Sequence, residues 1–86
     1  MKIEIYYFGR PSEYLLITSE RLDIPDDQVT IKSLLDVLMS RGERWAYELD
    51  PNYVVCTINQ KTADFCELIT DGCEIGIFSR KSIFDM

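Results

Sequence analysis

The chain has 86 residues, 47% of them hydrophobic and 28% charged, with 15 acidic and 9 basic side chains and a net charge of −6. Such a composition is too apolar for a disordered chain and long enough to bury one modest core. The negative field repels phosphate backbones, which argues against nucleic acid as a partner, and favours encounter with basic protein surfaces.

Lys2 to Phe8, KIEIYYF, reads as a strand with Ile3, Ile5 and Tyr7 on one face. Its other face starts with Lys2 and Glu4 but continues with Tyr6 and Phe8, which means burial under another element or an exposed contact patch. Gly9-Arg10-Pro11 breaks the strand, and Pro11 to Leu16 suits a helical turn or two, with proline in a first helical position. Ser19 to Ile24 alternates polar and apolar and suits a second strand, ended by Pro25-Asp26-Asp27.

Thr30 to Gly42 is the best helix: Ile31, Leu34, Leu35 and Leu38 form one apolar stripe, and Thr30 is a natural N-cap. Arg41 is expected in its last turn, where a cation meets the negative end of the dipole, and Gly42 in a left-handed closing position. Glu43 to Leu49 forms a second short helical piece bearing Trp45, which is expected to seal the helix end.

Tyr53 to Ile58 is a strand so continuously β-branched or aromatic that it implies burial on both faces or pairing on both edges. Asn59-Gln60-Lys61 makes a polar turn, and a brief strand follows around Thr62-Ala63. Leu68 is expected to plug the core ahead of the Thr70-Asp71-Gly72 turn. Glu74 to Ser79 is the last strand, and Gly76 inside it signals the close approach of another group.

No stretch nears the ~20 apolar residues that cross a bilayer, and the first residues do not read as a signal peptide. A soluble cytoplasmic protein with no membrane partner is expected. Cys56, Cys66 and Cys73 form no Cys-x-x-Cys pair and are expected as buried or half-buried thiols. The chain has no histidine, so Ser-His-Asp and Cys-His chemistry are excluded and a four-ligand zinc site lacks ligands. No catalytic constellation, metal site or cofactor is implied.

The order is therefore strand, strand, helix, strand, short strand, strand. The first two strands are expected to pair antiparallel, and the one long helix must cover a single face of the sheet. This is an α+β arrangement, the β-grasp or ubiquitin-like fold, with a mixed four- to five-stranded sheet on one main helix. Residues 1–86 are expected to form one domain, with 79–86 as a tail.

Three segments taken together, Glu43-Arg44-Trp45-Ala46, Ile58-Asn59-Gln60 and Leu68 through Asp71-Gly72 and Glu74-Ile75 to Phe78, carry a resemblance. In that order and spacing the chain resembles the MoaD/ThiS-like sulfur carriers, the family of the small subunit of molybdopterin synthase. Independently of the resemblance, Asn59-Gln60 and Asp71 are expected to bond their own backbone and tighten turns, with Gly72 at positive φ.

The resemblance implies a carrier whose tail ends in Gly-Gly, is adenylated by an activating enzyme, becomes a thiocarboxylate and threads into a large subunit. Here Ile83 and Phe84 stand where the two glycines belong, Asp85 and Met86 lie beyond, and none of the four glycines adjoins another. Phe84 does not suit a channel shaped for glycine. Two readings follow. The favoured one is a docking module in a molybdenum-cofactor context without thiocarboxylate chemistry. The other is a working sulfur carrier, a non-catalytic sulfur-donor subunit with an atypical end.

The resemblance also implies a docking face opposite the helix, at Phe8 and Phe78 with Thr62 between them. Thr62 departs from the apolar residue usual there. The alternative is that both phenylalanines belong to the core; if Ile75 and Ile77 meet the helix, alternation turns them outward. Arg80, Lys81, Ile83 and Phe84 form a second candidate contact, against a partner, against the protein's own surface or between two copies through the tail. The implied partner is a protein, either large-subunit-like or activating-enzyme-like.

Overall fold

The computed structural model describes residues 1–25 and 28–80. The elements in chain order are β1 (Lys2–Tyr7), α1 (Arg10–Leu15), β2 (Ser19–Asp23), α2 (Ile31–Met39), α3 (Glu43–Glu48), β3 (Val54–Ile58), β4 (Lys61–Ala63) and β5 (Glu74–Ser79). The five strands form one sheet in the order β2-β1-β5-β3-β4. The central β1–β5 pair is parallel, and the other three pairings are antiparallel. This is the β-grasp, or ubiquitin-like, fold, with all five strands in place.

Period two sorts the strands. Ile3, Ile5 and Tyr7 of β1, Val54 and Cys56 of β3, and Ile75 and Ile77 of β5 point to one face and are buried. α2 lays Ile31, Leu34, Leu35 and Leu38 on that same core. Fully burying each such side chain is worth ~1.5–3 kcal/mol, so this stripe supplies much of the fold's stability. Thr30 caps the helix as expected, its Oγ1 accepting from the Ser33 amide at 3.1 Å. The unbroken apolar run of β3 reflects pairing on both edges, with β5 on one side and β4 on the other. Among the described residues no helix is long and apolar enough to cross a membrane.

Several local expectations give way to longer-range partners. α2 ends at Met39, so Arg41 lies beyond its last turn. Its guanidinium instead holds Glu20 of β2 through two hydrogen bonds, at 2.8 and 2.9 Å, and stacks 4.6 Å from the Trp45 ring centroid. Gly42 is extended rather than left-handed, at φ 158 and ψ 173. Leu68 is 53% exposed, and Ile69 fills the core in its place, its amide bonded to the Val29 carbonyl.

The turn residues also reach outward. Asn59 accepts from the Glu74 amide with its side chain, and Asp71 accepts from the Lys2 amide, so each ties a turn to a neighbouring strand rather than to its own backbone. Asn59 and Gln60 sit at φ 50 and 72, the two-residue hairpin geometry that matches strand twist. Gly72 takes the expected positive φ, 81. Cys66 is exposed rather than buried, while Cys56 and Cys73 lie in the core, where burial pushes the Cys56 thiol up to about 12.

Candidate functional site

The face of the sheet turned away from α2 carries Glu4 and Tyr6 of β1, Glu74, Gly76 and Phe78 of β5, and Val55 and Thr57 of β3. Phe8 follows directly after β1. Its amide donates to the Ile77 carbonyl, so it stays in line with β5 and its ring points to the same open side. Because the isoleucines meet the helix, both phenylalanines face out, 44% and 39% exposed. Their rings stack with centroids 4.6 Å apart and planes 10° from parallel. Tyr6 extends the row, 6.5 Å from Phe8. The apolar end of the first strand is thus exposed and not buried under another element.

Two partly buried networks flank this patch. The chain leaves Phe8 through Gly9 at φ 63, a left-handed turn that glycine takes without strain. Arg10, the first residue of α1, then reaches across to α3, donating from Nε to Glu48 Oε1 at 2.9 Å, with its guanidinium 4.5 Å from the Tyr14 ring. Glu48 is only 3% exposed, and a buried carboxylate is tolerable only with such a partner. On the helix side, the Tyr7 hydroxyl donates to Glu20 at 2.6 Å and Tyr7 meets Trp45 edge-on at 5.8 Å, which locks the end of β1. Burial and the Glu20 carboxylate raise the Tyr7 pKa far above its ordinary value.

Thr62 does not lie between the phenylalanines. It is exposed on β4 and faces Thr57, which in turn faces Gly76, so it stands two strands away from Gly76. Arg80 leaves β5 with its amide on the Tyr53 carbonyl and its guanidinium on the Asn52 carbonyl, at the Phe78 end of the patch. Lys81, Ile83 and Phe84 lie outside the described residues. Sequence reasoning missed Glu74, Thr57 and the Arg10–Glu48 pair. Alternation alone would have put Glu74 on the Phe78 face. The ion pair joins residues 38 apart, which no local spacing reveals.

Chemically, this arrangement offers exposed aromatic area on a rigid sheet, which suits burial against another protein. The model of the ThiS family matches residues 5–79. The molybdopterin synthase sulfur carrier subunit of Haemophilus influenzae is 25% identical over 76 residues, which make up 88% of this chain and 91% of that protein. SAMP1 from Haloferax volcanii superposes with a TM-score of 0.80 at 20% identity, covering 95% of this chain and 98% of that one. A chain from the Helicobacter pylori complex of subunits 1 and 2 of molybdopterin-converting factor gives a TM-score of 0.64 at 18% identity, covering 92% and 93%. At those identities the structures establish the fold, and the match over residues 5–79 establishes the lineage: the chain belongs to the ThiS family.

Proposed function

We propose that the chain is a docking subunit of the sulfur-carrier lineage, acting in the cytoplasm in a molybdenum-cofactor context and working by protein contact without thiocarboxylate chemistry. The observation that carries this reading is the Phe8–Phe78 stack, left in water on a sheet face whose other side is a closed core. Contacts from Arg80, Lys81, Ile83 and Phe84 are part of the proposal. Ile83 and Phe84 stand where the resemblance puts the two glycines, and this supports a reading without acyl chemistry, since the channel that the resemblance implies is shaped for glycine. The Helicobacter pylori relative is described as one part of a two-subunit complex, which supports a protein partner here.

A second reading, a working sulfur carrier, draws on the Haemophilus influenzae relative, which is named a sulfur carrier subunit. Incubation with ATP, an activating enzyme of the family and inorganic sulfide, which displaces AMP from the acyl-adenylate, followed by intact mass spectrometry, separates the two. The docking reading expects no change in mass. A gain equal to the exchange of one oxygen for sulfur would establish the second reading and end the first. Binding to a molybdopterin synthase large subunit should also weaken by more than ~1 kcal/mol in Phe8→Ala if that ring is an anchor.

A further inference from the structure

The open face is not uniformly apolar, and its polar part points to the chemistry of what docks there. Glu4 and Glu74 stand directly opposite each other across the β1–β5 pair. Like charges on neighbouring strands repel, so this pair does not help to hold the sheet together. Glu4 accepts from the Tyr6 hydroxyl at 2.9 Å, and Arg21 approaches it at 3.9 Å. Glu74 has no ion pair among the described residues.

Two residues further along β5 and on the same face, Gly76 is closely overlain by side chains. A Cβ there would run into Thr57 Oγ1 and would lie 3.3 Å from the Phe78 ring and 3.5 Å from the Phe8 ring. Beside it lies a notch of about 380 Å³, lined by the aromatic Tyr6, Phe8 and Phe78 and by the polar Thr57, Gln60 and Glu74.

We propose that this notch receives an arginine side chain of the docked protein, its guanidinium lying against the aromatic walls and pairing with Glu74. The inference deepens the docking reading and rests on it. A planar cation fits ring faces through their negative quadrupole and matches a carboxylate with two parallel N–H groups. An apolar side chain in the same place would seal the Glu74 carboxylate away from water without a partner, which is unfavourable. The net charge of −6 steers a basic surface toward the molecule as a whole, and the notch gives that attraction a definite address.

The test is an amide-resolved NMR titration of the full chain with the peptide acetyl-Gly-Arg-Gly-amide and its leucine and glutamate counterparts. The arginine peptide is expected to shift the amides of Tyr6, Gly76 and Phe78 in a saturable, salt-sensitive way, and the other two are not. Glu74→Gln should weaken that response by about threefold or more, whereas Asp36→Asn, which removes the same charge on the exposed side of α2, should not. Equal response to the leucine peptide, equal weakening by Asp36→Asn, or arginine shifts away from the notch would each overturn the inference. Failure here with large-subunit binding still lost in Phe8→Ala leaves the docking reading intact. Large-subunit binding that is indifferent to Phe8→Ala removes the docking reading itself.

Discussion

On the helix side of the sheet Ile5, Ile75 and Ile77 have no exposed surface, while in or beside the same strands Phe8 and Phe78 keep 44% and 39% of theirs in water. The backbone is shared; only the side of the pleat differs. Stability and recognition can therefore be assigned to separate side chains by period two alone, and substitutions on the two faces should fail in different ways.

The largest way to break that comparison is from the core. Leu38→Ala removes a fully buried side chain from the α2 stripe and is expected to cost ~3 kcal/mol in urea unfolding, far more than Phe8→Ala costs in the same measurement. Equal losses would mean that the phenylalanine stack is structural after all. Gly76→Ala comes next. Gly76 is a point where the open face is packed as tightly as the core, and a methyl meeting Thr57 Oγ1 should cost ~2 kcal/mol. Adding Thr57→Ala should return part of that loss, and no recovery would mean that backbone conformation, not the clash, excludes alanine.

The smallest effect concerns the lock behind the patch. Partial burial alone would raise the pKa of Glu20, but the hydrogen bonds from Arg41 and Tyr7 outweigh it and hold the carboxyl below the ordinary glutamate value of 4.5. A group held low in the folded state gives its full stability above the unfolded value and loses it as the pH falls through the folded one. Glu20→Gln should therefore be less stable than the parent at neutral pH, with the difference shrinking as the pH drops below 4.5. A constant difference across that range would assign the loss to packing and not to charge.

The regular parts of the fold were readable because their periods are local. The β1 and β5 alternations and the α2 stripe needed only side chains within one element, and they correctly turned Phe8 and Phe78 outward. What escaped was whatever depends on a partner far along the chain. Arg41 reads as a helix-end cation until Glu20, 21 residues earlier, takes it. Leu68 and Ile69 are neighbours of equal hydrophobicity, and the backbone bond from Ile69 to Val29 decides which one turns inward. Thr62 was misplaced relative to the phenylalanines because the strand order, not the spacing, sets lateral distance. Glu74 reads only as the start of the last strand, because the pairing that sets it opposite Glu4 joins residues 70 positions apart in the chain.

The seating of β5 between β1 and β3 also governs when the molecule can come into being. Without that strand the sheet is two unconnected hairpin-like pieces, β2 with β1 and β3 with β4. During synthesis, a ribosome-bound intermediate that has not yet released Ser79 from the exit tunnel holds no continuous sheet. The isoleucines of β1 must wait, without their parallel neighbour and prone to wrong contacts, until β5 has left the tunnel.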